Sequence, residues 1–455
     1  WLTLAPDITW ANFGVDGGDL ITAVVTRGNP HPSGYPLYLL VGYLIETLPL
    51  WPIALRFNLL SALAMAGAAG CIAALAQHTM SQKTATLPPH PAVAIATGLT
   101  FAFTTLIWGQ AVITEVYGLF ILCSALYLYA LLTQKPAWLT GLFLGLALTS
   151  HLTGLLFVPL ALILLPKKQL APFSGGLLLG LLPFALLPWL STAATPVAWG
   201  NLDTFQGWWW LVSSQIYRGY AFSLPPAFWL PRLVEWGIQL LAQFTWAGIP
   251  LMVAAFFLVK AEQRKLYGLL LTTAVFYIIL AFFYNTDDAI IFTLPAWLLL
   301  SLLLLPALQR LGWIALILPL ALLLLNFQAN NLKNDTLIRA QAQSLLVAIP
   351  DRAIVETPGD PTIFTLWYII YAEGQRPDII PVDSDLFAFD WYRDRLQELY
   401  PELKGLEHDD LAIFRERNNT KRPYCFASLA QVQANAAYSL TCREIDLSVL
   451  HLPKN

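Results

Sequence analysis

The sequence predicts a polytopic α-helical membrane protein of about ten transmembrane helices, followed by a small C-terminal α/β domain. Three observations predict it. Of the 455 residues, 57% are hydrophobic and only 12% charged, against about 25% charged in an ordinary soluble domain. The charge is unevenly placed, because residues 1–330 hold 12 of the 25 Lys and Arg and 10 of the 28 Asp and Glu. Apolar runs long enough to span recur after residue 55. A soluble core could not consume that much apolar surface, whereas a bilayer can.

The elements follow in order. Residues 1–55 form a first loop whose apolar stretch, 36–50, is short and flanked by prolines, and so reads as lying in the interface. Residues 56–330 form the helical domain. Its spans read at 56–77, 91–107, 115–132, 137–150, 152–165, 171–191, 238–259, 266–283, 289–305 and 313–330. The spans 137–150 and 152–165 are short enough to be tilted or broken. Gly141 with Gly145, and Gly176 with Gly180, have the spacing that lets helices pack closely, read here as internal packing rather than dimerisation. Residues 331–455 have shorter apolar runs and more turn residues. Strands are expected at 353–356 and 379–382 and helices at 364–372 and 392–399, giving a soluble α/β domain packed on the membrane surface.

Charge sets the orientation. Lys83, Lys135, Lys167, Lys168, Lys260, Arg264, Lys265 and Arg310 fall in alternate connections, which are therefore cytoplasmic. The opposite connections carry only Arg27, Arg56, Arg218 and Arg232, together with nine of the ten acidic residues before 331. The first loop and the tail are then outside. The chain opens at Trp1 rather than at a methionine, so this topology expects one further helix upstream and an eleven-span native chain with a cytosolic N-terminus. Trp108, Tyr117, Trp189, Trp199 and Trp208–Trp210 crowd the outer ends as an interfacial belt does.

A net charge of −3 gives no reason to expect a nucleic-acid partner. The four cysteines lack metal-ligand spacing. Cys71 and Cys123 read as packing residues, while Cys425 and Cys442 lie in the polar tail and could pair outside the cytosol. Asn334 and Asn418 open Asn-x-Thr triplets, which matter only in a eukaryotic secretory pathway.

The first loop carries the most chemistry. Asp16-Gly-Gly-Asp19 is followed by His31-Pro-Ser-Gly-Tyr-Pro-Leu-Tyr38. Asp19 could cap a helix starting at Leu20, which would leave Asp16 free at a glycine turn. Further candidates lie along the outer face. Arg218, one of few outer cations, and Arg56, at a helix start, could each bind a lipid phosphate or snorkel to headgroups. Glu115 opens a span and is either a second acidic site residue or a carboxylate favoured by the helix dipole. His151 sits between two apolar runs, where a packing role competes with a functional one. Asp287 and Asp288 begin a span, and two adjacent carboxylates could hold a divalent cation or merely cap. No other cofactor is called for.

These runs resemble a known family. The first-loop signature, Arg56-Phe-Asn58-Leu-Leu-Ser61, Trp108-Gly-Gln-Ala-Val-Ile-Thr-Glu115-Val-Tyr117, the His151 segment and Asn285-Thr-Asp-Asp288 are similar to bacterial membrane proteins related to protein O-mannosyltransferases. So are Leu366-Trp-Tyr and Glu373-Gly-Gln-Arg-Pro-Asp378 in the tail. The family departs at Ser33, where a second proline is frequent, and at Asp19, where Glu is common. The resemblance implies a GT-C glycosyltransferase fold and transfer of a sugar, such as mannose, from a polyprenyl-phosphate donor to a protein or glycan acceptor on the outer membrane face. It implies Asp16 as the base; Asp19 is the further catalytic candidate, next with Glu115 if the base lies elsewhere, and His31 and Tyr35 are substrate-binding candidates. A transporter or lipid flippase is the alternative. It would predict midplane charges, discontinuous helices and inverted repeats, whereas the sequence shows no repeat and its polar residues crowd one face.

Overall fold

The computed structural model describes residues 1–82, 87–191, 195–429 and 438–443. Lys83 lies outside the described residues. The protein is a multi-pass helical membrane protein. Four helices are long and apolar enough to cross a bilayer: Ile53–Met80, Lys167–Leu190, Ala261–Phe283 and Leu305–Asn326. Two further pairs reach spanning length only together, Pro91–Ala102 with Thr105–Ala111, bent by 72°, and Pro226–Ala242 with Thr245–Leu258, bent by 82°. Shorter apolar helices cover Pro36–Glu46, Tyr117–Leu132, Ala137–Ser150, Leu152–Leu164 and Ala289–Leu303. Each apolar segment read from the sequence thus falls on a helix. The discontinuity of two of them was not foreseen.

Large apolar side chains such as Phe256, Phe257 and Leu324 point out of the bundle, 70%, 76% and 71% exposed. A bilayer accounts for that surface better than water does. The two glycine motifs face each other. A methyl group on Gly176 would stand 1.9 Å from the Trp138 carbonyl oxygen, and one on Gly141 2.0 Å from that of Phe173. Only bare backbone allows helices Ala137–Ser150 and Leu170–Leu190 to approach this closely. The connections assigned to the two faces gather separately. Thr79, Lys260, Gln263 and Arg310 line one recess, whereas Asp16, Tyr117, His151 and Asp287 line another.

The tail folds around a four-stranded sheet. Strands β1 (Ile354–Thr357), β2 (Ile380–Asp383), β3 (Tyr424–Leu429) and β4 (Tyr438–Arg443) lie in the order β2-β1-β3-β4. β1 pairs in parallel with β2 and β3, and β4 pairs antiparallel to β3. Cys425 and Cys442 stand opposite each other in that last pair and are bridged. Helices Leu337–Ala348, Asp360–Trp367, Asp390–Leu399 and Leu411–Asn418 cover the sheet. Asn418 is buried at 3% exposure, its amide donating to the carbonyls of Lys404 and Phe414. It therefore holds a turn and is closed to a glycan.

The first loop is fastened to both neighbours. Asn58 donates to the carbonyls of Ala5 and Asp7 and accepts from the Thr114 hydroxyl at 2.6 Å. Trp108 Nε1 donates to Thr3 Oγ1, and Ser61 Oγ donates to the Glu115 carbonyl. On the tail side, Trp10 Nε1 donates to Thr365 Oγ1, and Arg339 bridges Asp7 and Glu373. Gly18 packs against the Phe364 backbone so closely that a methyl group there would lie 2.3 Å from the carbonyl oxygen. The motif residues Asn58, Ser61, Trp108 and Glu373 are thus the struts that hold the loop.

Candidate active site

The loop folds a carboxylate to the mouth of a helix. Helix Gly17–Val25 begins directly after Asp16, whose side chain makes no capping hydrogen bond and is 35% exposed. Asp16 faces a cavity of about 510 Å³ that first loop, helix ends and tail enclose together. His31, Ser33 and Tyr35 line it from the loop, Tyr117, His151 and Phe292 from the helices, and Tyr284, Thr286, Asp287 and Asp288 from the turn before a span. Tyr217 and Tyr220 come from a short 3₁₀ helix, and Asp360 and Pro361 from the tail.

Asp19 does not cap, contrary to the expectation from its spacing. It lies in the first turn of the helix but is fully buried. Its Oδ2 accepts from the His31 backbone N–H at 2.9 Å and from His31 Nδ1 at 2.7 Å, and its Oδ1 accepts from Trp199 Nε1 at 3.1 Å. A carboxylate can only accept, so the proton sits on Nδ1. Asp19 is shut off from the cavity and sets the His31 ring, which also stacks on Phe364. The other ring nitrogen, Nε2, lies 3.0 Å from the Tyr35 hydroxyl and 3.3 Å from Asp16 Oδ2.

The electrostatics follow from this packing. Burial pushes the Asp16 carboxyl up; His31 pulls it down and Asp288 and Asp19 push it further, leaving it at about 6. Burial alone would lower His31, but Asp16 and Asp19 overcome it and raise the imidazole to about 10. Near neutral pH the pair is an imidazolium beside a carboxylate. Asp360, from the tail, is raised to about 7 by burial first and by Asp16 next.

Of the residues picked from the sequence, Asp16, His31, Tyr35, His151, Asp287 and Asp288 meet in the cavity. His151 Nδ1 lies 2.8 Å from the Thr153 hydroxyl, and its ring contacts those of Tyr117 and Phe292. Glu115 is not in the lining; it is 3% exposed and its Oε2 accepts from the next backbone N–H. Arg56 is also outside, its guanidinium donating to the carbonyls of Glu46 and Leu48, where it ties a helix end. Arg218 is exposed between the lining residues Tyr217 and Tyr220, with no hydrogen-bond or ion-pair partner among the described residues. Among the described residues, no three His, Cys, Asp or Glu side chains converge to hold a metal ion. Asp360 and the tyrosines at 217, 220 and 284 escaped the sequence reading. Tyrosines at helix ends look like a belt, and nothing local in Gly359-Asp-Pro marks a partner in the first loop.

Comparison with known proteins bears on the whole arrangement. The family described as "Protein O-mannosyl-transferase TMEM260 N-terminal domain" matches residues 16–171, and "TMEM260-associated domain 2" matches residues 338–437. The mouse (Mus musculus) protein O-mannosyl-transferase TMEM260 is 27% identical over 454 residues, covering 85% of this chain and 62% of the mouse protein. The chain thus spans about three fifths of the length of that relative. The crystal structure of ArnT from Cupriavidus metallidurans bound to undecaprenyl phosphate superposes with a TM-score of 0.52 at 11% identity, covering 97% of this chain and 94% of that one. That likeness is one of fold.

Proposed function

The chain belongs to the membrane family related to protein O-mannosyltransferases, on a fold of the GT-C type, and from that premise we propose that it transfers a sugar from a polyprenyl-phosphate donor to an acceptor hydroxyl on the outer membrane face. The observation that carries the proposal is Asp16, a carboxylate with no capping duty that faces a cavity and stands beside an imidazolium. Asp16 removes the acceptor hydroxyl proton as that oxygen attacks the anomeric carbon. The new C–O bond forms while the bond from the anomeric carbon to the phosphate oxygen breaks, and polyprenyl phosphate leaves with the electron pair. His31, fixed by Asp19, orients Asp16 and balances its charge. Arg218, exposed beside the lining and with no hydrogen-bond or ion-pair partner among the described residues, receives the phosphate. The mouse relative is a protein O-mannosyl-transferase and the ArnT structure holds undecaprenyl phosphate, which supports mannose and a polyprenyl donor.

In this reading all ten apolar segments cross the membrane, and the tail lies outside. The Cys425–Cys442 bridge supports an oxidising compartment for it. The two broken helices would also suit a transporter, but a base facing a cavity walled by the tail suits a transferase. The test is sugar transfer from labelled polyprenyl-phosphate hexose by membranes carrying the protein, with wild type compared with Asp16→Asn at equal expression. A loss of roughly 10² or more is expected for a missing general base. Transfer unchanged by the substitution would move the base elsewhere, and no consumption across a donor panel would remove the transferase reading.

A further inference from the structure

One cavity wall comes from the tail, and its only ionisable group among the described residues is Asp360. Three observations make this wall part of the site rather than a neighbour of it. Helix Asp360–Trp367 is locked to the first loop through Gly18 against the Phe364 carbonyl and through Trp10 to Thr365. Its start is fixed by Gly359, at φ +68°, a left-handed conformation suited to glycine. The Asp360 carboxylate is exposed to the cavity, with no hydrogen-bond or ion-pair partner among the described residues. A rigidly held, unspent carboxylate facing a substrate cavity is placed to accept hydrogen bonds from whatever enters.

The layout says which substrate it meets. A polyprenyl chain stays in the bilayer, so the donor phosphate arrives between the helix ends that carry Tyr117, His151 and Phe292. The tail carries the polar, charged part of the chain, so on the proposed topology an acceptor comes past it from water. Charge narrows the acceptor further. The lining holds Asp16, Asp287, Asp288 and Asp360 against the His31 imidazolium, which faces Asp16, and it holds neither Lys nor Arg among the described residues. An acceptor with anionic flanks would meet a lining in which carboxylates outnumber the one imidazolium, which costs affinity. Resting on the transferase reading above, we propose that Asp360 is an acceptor-contacting residue and that the tail selects hydroxyl-bearing peptides with neutral or cationic flanks.

The test uses the purified full chain in nanodiscs with two short peptides. Each carries a single threonine, flanked by lysines in one and by glutamates in the other. Fluorescence anisotropy reads binding, and labelled polyprenyl-phosphate mannose reads transfer. The lysine-flanked peptide is expected to bind roughly fivefold tighter, about what one screened charge pair supplies. Asp360→Asn should close that gap and raise the acceptor KM while leaving the donor KM as it was. Asp360→Ser serves as the second variant if the amide disturbs the fold. Equal or tighter binding of the glutamate-flanked peptide overturns the proposal, as does an Asp360→Asn effect confined to the donor KM. If no sugar is transferred at all, the transferase reading fails on its own, and the anisotropy comparison still decides the role of Asp360.

Discussion

Gly18→Ala places a methyl group where the tail already has backbone. The added Cβ would lie 2.3 Å from the Phe364 carbonyl oxygen and 2.7 Å from its carbon, against an ordinary contact of 3.4 Å or more. No side chain can swing away to relieve it. Helix Gly17–Val25 and helix Asp360–Trp367 must separate by about 1 Å, and both end at the cavity, one at Asp16 and the other at Asp360. A misplacement of about 1 Å in a reacting constellation costs about 10² in rate. Gly17→Ala is the control, because its methyl group would meet only Thr114, the side chain at 3.3 Å and the carbonyl oxygen at an ordinary 3.5 Å. The assay is labelled-sugar transfer by membranes with each variant at equal expression, with thermal unfolding of the purified proteins alongside. Gly18→Ala should lose about 10² in transfer while Gly17→Ala stays near wild type. Transfer by Gly18→Ala at the wild-type rate would refute the reasoning, since the tail helix would then have no hold on the first loop.

Other outcomes follow from the same geometry. Because burial raises Asp16 to about 6 and a base acts ionised, transfer should fall about tenfold per pH unit below pH 6; a pH–rate profile reads this limb, which Asp16→Asn should abolish. Reducing the Cys425–Cys442 bridge, which closes a separation of 17 residues, should destabilise the tail by about 3 kcal/mol, seen as a lower unfolding temperature in reductant. Asn418→Ala removes two donated amide bonds and the acceptor for the Lys404 N–H. It should cost about 1–3 kcal/mol in denaturant unfolding.

What could be read from the sequence was what is local. Asp16, His31 and Tyr35 sit within twenty residues in one Gly- and Pro-rich loop, and their chemistry stands out against an apolar background. The helices announced themselves by length and composition, but their breaks did not, because Phe103 and Phe244 at the two bends look like any other apolar residue. Asp19 was misread because its partners are nonlocal: a carboxylate in a first helical turn normally caps, and only the fold brings Trp199 and His31 to it. Asp360 was invisible for the same reason. Strands β3 and β4 were missed, although the two cysteines that lock them were noticed.

The seam between first loop and tail joins residues far apart in chain order, Trp10 to Thr365 across 355 positions. During synthesis the loop with Asp16 is made early, and the wall with Asp360 only after the helical bundle. A nascent chain stalled before the tail therefore carries Asp16 without the tail wall of its cavity. On the proposed transferase reading, sugar transfer then depends on the tail having docked on the first loop.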